Sequence, residues 1–303
     1  MERHLTRREL LGSFLAFGAL AAAARTNIKP LSVTAPMAAA KPLRIVHLSD
    51  LHWGYRGDWN RRLPETVARV FHQVAELTPA ANLIVVTGDL IQAADGTVER
   101  EKRLAAVKER LEALRIPWLA IPGEHDAFGD QGALFRKLIG PLHFHRVFQG
   151  LHIFGLDNVS QGFFLGRTQV QWLAKEAQRL QPSDAVLVLS HAPLYDLFTP
   201  WNWYTFDGEA VFRQFHHLAH RQFLFGHIHQ GLDHAHHGVM NHAGLPVSWP
   251  LPEPGPMERL APWPQGASHP DMGLGFRLLD IANGRFQCQT LALEDADRKA
   301  VLR

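Results

Sequence analysis

One cysteine, Cys288, stands in 303 residues, so no disulfide can form within the chain. An excess of one charge is missing as well. Lys and Arg number 31 against 29 Asp and Glu, a formal +2, and no basic run follows the first residues, which argues against a polyanionic partner. No internal repeat and no domain linker interrupts the sequence, which excludes a repeat array and points to one domain. Long apolar runs are scarce: residues 10–24 form a 15-residue apolar stretch, short of the roughly 20 residues that a membrane span needs. What remains, 46% hydrophobic and 20% charged, is ordinary globular composition with enough chain for a full core.

The apolar stretch lies at the amino terminus and has its own reading. Thr6-Arg7-Arg8-Glu9-Leu10-Leu11 precedes a weakly apolar, Ala/Gly-rich run, and the combination resembles a twin-arginine export signal. Small-residue cleavage sites occur at Ala22-Ala23-Ala24 and at Ala38-Ala39-Ala40. Residues 1–40 are therefore expected to be an export signal and linker, and residues 41–303 the folded domain. The resemblance implies passage through the twin-arginine export machinery to a periplasmic or extracytoplasmic location, or a membrane tether if the signal stays uncleaved. Residues 1–40 carry five Lys/Arg and two Asp/Glu, a charge of +3, so their removal takes the chain from +2 to −1.

Past the amino terminus, short apolar runs alternate with helical periodicity. Residues 43–48 read as a buried strand, followed by a helix from Pro64 with Val67, Val70, Phe71, Val74 and Leu77 on one face. A strand at 83–86, a helix at 98–115 and a strand at 118–121 continue a βαβ series, which calls for parallel sheet. A short helix at 134–139 comes next, and 144–148 with 151–156 flank Gln149-Gly150 as a hairpin. Further on, a helix at 168–180 and strands at 185–189 and 223–225 are expected. Asn283-Gly284, between 275–281 and 285–293, is a strong hairpin signal. Residues 246–272, rich in Pro and Gly, read as a long surface loop.

Five of these strands end in turns loaded with imidazole or carboxylate: Asp50 and His52; Asp89; Glu124, His125 and Asp126; His191; His227 and His229. Open α/β sheets build their sites at strand carboxyl ends. Mixed imidazole and carboxylate suits Mn, Fe or Zn better than Ca or Mg. Nine groups exceed what one catalytic ion uses and suffice for two that share a carboxylate.

Asp-x-His, Gly-Asp, Gly-x-His-Asp, His and Gly-His-x-His, in this order from Leu43 to His229, resemble the calcineurin-like metallophosphoesterase superfamily. In motif spacing the chain is similar to class III cyclic-nucleotide phosphodiesterase-like members. The resemblance implies a four-layer α/β/β/α sandwich of two mixed sheets, with the active site at the strand carboxyl ends. It implies two divalent or mixed-valence transition-metal ions, Mn or Fe favoured and Zn possible. Asp50, His52 and His229 would hold the first ion, Asp89 would bridge, and Glu124, His191 and His227 would hold the second. His125 would face the leaving group as proton donor or phosphate contact, with Asp126 orienting it. The implied activity is hydrolysis of a small phosphomonoester or phosphodiester by metal-bound hydroxide.

Glu124 departs from the family pattern, which has Asn there. A carboxylate adds negative charge where a phosphate must approach, so the alternative is a metal-binding protein of this fold with little or no hydrolase activity. A nuclease is disfavoured by the near-neutral charge, so nucleic acid is not the expected partner. His216, His217, His220, His234, His236, His237 and His242 crowd the region around His227 and read as solvated or adventitious histidines. His47 reads as a hydrogen-bonded core residue, and Asp157 and Asn158 as loop-fixing. The run 201–206, with Trp201, Trp203, Tyr204 and Phe206, reads either as a substrate wall or as loop packing.

Overall fold

The computed structural model describes residues 42–254 and 272–293. The export signal read at 1–40 and most of the loop read at 246–272 lie outside the described residues.

The first half alternates strand and helix as its apolar spacing demands: β1 (Leu43–Leu48), α1 (Leu63–Ala75), β2 (Leu83–Thr87), α2 (Thr97–Ala113), β3 (Trp118–Ile121), α3 (Glu124–Ala127) and α4 (Ala133–Leu138). The second half holds β4 (Phe144–Phe148), β5 (Leu151–Gly155), α5 (Gly166–Ala177), β6 (Ala185–Leu189), α6 (Glu209–Gln214) and β7 (His220–Phe225). Two hairpins follow, β8 (Leu232–His236) with β9 (Val239–Ala243), and β10 (Gly275–Ala282) with β11 (Arg285–Ala292).

Two mixed sheets result. One runs β11-β10-β1-β2-β3 and the other β4-β5-β6-β7-β9-β8. Strands β1, β2 and β3 are mutually parallel, as are β5, β6, β7 and β9, while the outer strands β10, β11, β4 and β8 pair antiparallel.

Period-2 alternation sends each strand's side chains to two different cores. Leu43, Ile45, Leu83 and Val85 meet Ile153, Ala185, Leu187 and Leu189 between the sheets. Their neighbours Val46, Leu48, Ile84 and Val86 face the other way, onto Val67, Val70 and Val74 of α1 and Leu104, Val107 and Leu111 of α2. Val186, Val188 and Phe223 likewise pack on Leu173 of α5 and Val211 and Phe212 of α6. Both faces of each sheet are covered, which is why the parallel strands are near-continuous apolar runs. This is the expected α/β/β/α sandwich.

The Gln149-Gly150 and Asn283-Gly284 turns close their hairpins with both residues at positive φ, as a two-residue primed turn requires. Three features differ from expectation. β7 starts at His220 rather than Phe223, and α6 and the hairpin β8–β9 were not anticipated. β8 reads Leu-Asp-His-Ala-His and its burial alternates between partial and exposed, so it offers no apolar run to find.

Candidate metal centre

Strands β1, β2 and β3 of one sheet and β6 and β7 of the other deliver their turns to one common edge of the sandwich. Asp50, His52, Asp89, His227 and His229 all have φ between 46° and 67°, the left-handed region that costs a non-glycine residue about 1–2 kcal/mol. Such strain persists where surrounding contacts over-determine it. Here they do: Asp50 N–H donates to Gly88 O at 3.2 Å, and His52 N–H to Asp89 O at 2.9 Å. His227 N–H donates to both oxygens of Asp50, and His125 N–H to Asp89 Oδ1 at 2.9 Å. Two glycines permit this crowding. A Cβ at Gly123 would overlap the Asp89 carboxylate, and one at Gly226 would overlap Ser49 Oγ.

Two groups of donor atoms form. In the first, His52 Nδ1–H donates to Gln92 Oε1 at 2.9 Å and His229 Nδ1–H to the Trp249 carbonyl at 2.6 Å. Each ring therefore keeps its proton on Nδ1 and presents a lone pair at Nε2. The two Nε2 atoms lie 3.1 Å apart, and His229 Nε2 lies 3.6 Å from Asp50 Oδ1. Two lone pairs cannot bond each other, so they share a target. Nitrogens ligating one ion at about 2.0–2.1 Å tetrahedrally sit roughly 3.3 Å apart, close to what is seen.

In the second group, His191 Nδ1–H donates to the Thr87 carbonyl at 2.6 Å, and His227 Nε2–H to the Asn202 carbonyl at 3.2 Å. His191 Nε2 and His227 Nδ1 then face Glu124, at 2.7 Å from Oε2 and 2.9 Å from Oε1. His191 Nε2, His227 Nδ1 and Glu124 Oε2 are buried atoms without an aligned hydrogen bond. They make close charge contacts with no aligned hydrogen bond, and this convergence on one point fits the ligand set of a cation. Asp89 Oδ2 lies between the groups, 3.3 Å from His52 Nε2 and 3.5 Å from His191 Nε2. All seven residues named from the resemblance are thus brought together, and in each imidazole a carbonyl oxygen fixes which nitrogen faces inward.

The charges differ between the groups. Burial holds the His52 and His229 imidazoles below their ordinary range, well below for His52. For His191 burial acts the same way, but the carboxylates of Asp89 and Glu124 outweigh it and raise the imidazole well above its usual value. Burial would raise Glu124, yet His227 and His191 hold it well below the carboxylate range. Burial and Glu124 would raise Asp89, which His191, His125 and His52 nonetheless lower.

His125 stands edge-on to His52, ring centroids 4.7 Å apart, with Nε2 4.0 Å from Asp89 Oδ2. Its Nδ1 accepts the Ala93 N–H at 3.2 Å, which puts the proton on Nε2, facing the donor groups. Asp126 does not orient it, contrary to expectation. The Asp126 carboxylate accepts the N–H groups of Leu90, Ile91 and Gly123 at 3.1, 3.0 and 2.9 Å. It pins the β3 turn to the β2 turn, because a fully buried carboxylate takes whatever N–H donors are nearest. Burial and the Asp89 charge raise its carboxyl to about 7 against those three donors.

The remaining readings also find their places. His47 bonds Thr87 Oγ1 at 2.8 Å within the core. Asn158 accepts His191 N–H at 3.0 Å and donates to Ala192 O and Thr205 Oγ1, so it fixes the His191 turn. Trp201 and Trp203 are buried packing, whereas Phe206 is 66% exposed. His242 is buried against Asp233 rather than solvated. Sequence reasoning missed Gln92, Asn202, Ala93 and Trp249, whose ring lies 4.4 Å from that of His52. Three of these act through backbone atoms, which carry no residue-type signal.

The chain is similar to known proteins in sequence and in fold. The calcineurin-like phosphoesterase family profile matches residues 43–231. A 3′,5′-cyclic-nucleotide phosphodiesterase of Nostoc sp. is 27% identical over 211 residues, 65% of this chain and 76% of that protein. The DNA double-strand break repair protein Mre11 of Saccharolobus solfataricus is 24% identical over 128 residues, 39% of this chain. The match spans only 34% of that repair protein's length. Among solved structures, a dimetal phosphatase from Danio rerio superposes with a TM-score of 0.57 at 14% identity, covering 82% of this chain and 98% of that one.

Proposed function

The chain belongs to the calcineurin-like phosphoesterase family, and from that premise we propose that it is an exported hydrolase that cleaves a small phosphomonoester or phosphodiester with two transition-metal ions. The observation that carries the proposal is the pair of carbonyl-fixed imidazoles, His52 and His229, with inward lone pairs 3.1 Å apart. Asp50, His52 and His229 would hold one ion, Glu124, His191 and His227 the other, and Asp89 would reach both. The donor set of imidazole and carboxylate favours Mn or Fe, with Zn an acceptable substitute. Bound there, such ions supply Lewis-acid polarisation of phosphoryl oxygens and activation of water.

The chain's own residues do the rest. His125 offers an Nε2–H to an oxygen of the substrate. Because the Ala93 N–H already occupies the Nδ1 lone pair, His125 serves as a fixed hydrogen-bond donor to phosphate or leaving group. Asp126 acts at one remove, by holding the turn that carries Glu124 and His125 against Leu90 and Ile91. Trp249, packed on His52 and His229 with centroids at 4.4 and 5.2 Å, closes one side of the first group against water. Phe163, 5.2 Å from the His227 ring, flanks the second.

The Nostoc relative makes a phosphodiester the first class to test. Chromogenic mono- and diesters with added Mn, followed by chelation and metal restoration, decide the class. Turnover that chelation abolishes and metal restores supports the proposal. Metal uptake without turnover on any ester would favour the second reading, a metal-binding protein, for which the specific observation is Glu124 occupying the space between His191 and His227. Export is tested separately: Arg7→Lys with Arg8→Lys should leave folded precursor in the cytoplasm.

A further inference from the structure

A second cluster of donors lies away from the centre just described. Glu209 opens α6, and His236 and His237 end β8 and begin its turn into β9. β9 runs parallel to β7, whose end carries His227, while β8 runs antiparallel to β9. The end of β8 therefore sits at the opposite edge of the sheet from the catalytic turns. We infer that Glu209, His236 and His237 form a separate binding site for a single divalent ion of the zinc class, which clips the β8–β9 hairpin to α6.

Successive residues on a strand point to opposite faces. His237 escapes this because its φ is 48° and that of Gly238 is 69°, both residues of a primed two-residue turn. The left-handed step swings the His237 ring to within 4.4 Å of the His236 ring. Both rings then meet one carboxylate, His236 Nε2 at 2.7 Å from Glu209 Oε1 and His237 Nε2 at 2.9 Å from Oε2. One ligand atom from each residue lies within 4.8 Å of the other two.

The rings are held in place. The buried Tyr195 stacks on His236 at 4.7 Å, and the buried Phe212 meets His236 edge-on at 4.9 Å and His237 at 5.7 Å. Neither Nδ1 has a hydrogen-bond partner among the described residues, so each is free to take the proton and leave Nε2 for a metal. His237 and Glu209 are 60% and 44% exposed, which leaves the fourth position to water. Two imidazoles and a carboxylate form a zinc ligand set, and Cu(II) would bind it more tightly. The present N–O separations are a few tenths of an ångström under the roughly 3.3 Å of a tetrahedral edge, which side-chain rotation supplies. In the metal-free state the same three groups are joined by hydrogen bonds. The site does not rest on the hydrolase reading.

The test is equilibrium dialysis of full-length, manganese-loaded protein against micromolar Zn²⁺, with both metals counted. His237→Asn is the informative variant, because Asn is favoured at positive φ and keeps the turn while deleting a ligand. Glu209→Gln is its companion. Wild type should take up one zinc per chain beyond its retained manganese, and each variant should lose about tenfold or more in affinity for that zinc. Manganese content should be unchanged in both. Equal zinc uptake by wild type and both variants would overturn the assignment. So would zinc that only replaces manganese, or no uptake at all, since either leaves Glu209 with a hydrogen-bonding role only.

Discussion

The two halves of the catalytic edge hold the same number of imidazoles but differ in how their charges are satisfied. In the first, His52 and His229 are neutral by burial, each locked by a carbonyl, with Asp50 nearby. In the second, the Glu124 carboxylate sits between His191 and His227, and Asp89 and Glu124 together draw a proton onto His191. The first half is set up for a cation before one arrives. The second is filled by an internal ion pair that a cation must take apart. Pre-organisation thus lies on one side of Asp89 and competition on the other, so the first half should load more tightly.

Removing the Asp89 carboxylate, which lies between the halves, should break the comparison altogether. Asp89→Asn keeps an acceptor for the His125 N–H but deletes the charge between the halves. We expect loss of at least one ion and a fall in kcat/KM of about 10³-fold, several kcal/mol of transition-state stabilisation. Elemental analysis beside kinetics checks both parts. Two ions retained with near-normal turnover would refute the bridging role.

His125 belongs to neither half and should separate chemistry from loading. His125→Ala is expected to lower kcat by about 10²-fold, at the lower end for a group that gives or holds a proton, with metal content unchanged. Metal loss instead would make it a ligand.

Much of this edge was legible in the chain, and the reason is chemical. Asp50, His52, Asp89, His191, His227 and His229 stand directly after apolar strands, and an apolar run that stops at an imidazole or carboxylate is an uncommon local pattern. What did not show was whatever acts through the backbone. The carbonyls of Thr87, Asn202 and Trp249 and the N–H of Ala93 choose the inward nitrogens, yet any residue supplies a carbonyl. Asp126 illustrates the converse. Its place beside His125 suggested a carboxylate–imidazole pair, but its side chain turns to three backbone N–H groups. The hairpin β8–β9 escaped because a strand of alternating histidines lacks the apolar period that marks β1 or β6.

The side-chain lock on the first half sharpens the contrast at smaller cost. Gln92→Leu removes the acceptor for His52 Nδ1–H and touches nothing in the second half. Affinity for the tighter ion should fall about 10–100-fold, while the weaker ion binds as before. Two-step metal titration resolves the pair, and a change confined to the weaker step would reverse the assignment of the halves.

The smallest net effect belongs to Glu124→Asn, because two contributions oppose each other. On the proposed function Glu124 would be a ligand whose negative charge attracts the second ion, and neutralising it should loosen that ion. Asp89 first and Glu124 second also raise His191 above its ordinary range against its burial, so near neutral pH the metal-free imidazole holds a proton that the ion must displace. The sign follows. As pH falls, the proton competes better and second-ion affinity drops, by up to about tenfold per pH unit when one proton is released on binding. The first half shows little such slope near neutrality, since His52 and His229 are held below their usual values. In Glu124→Asn the His191 proton is held less tightly, so the slope flattens. The variant should bind the second ion several-fold more weakly at alkaline pH, converge on wild type as pH drops, and bind inorganic phosphate at least as well throughout. Calorimetric titrations of metal and of phosphate at several pH values measure all three. Parallel pH profiles for wild type and variant would show that Glu124 adds nothing to the effect of Asp89 on the His191 charge, and the competition assigned to Glu124 would have to be abandoned.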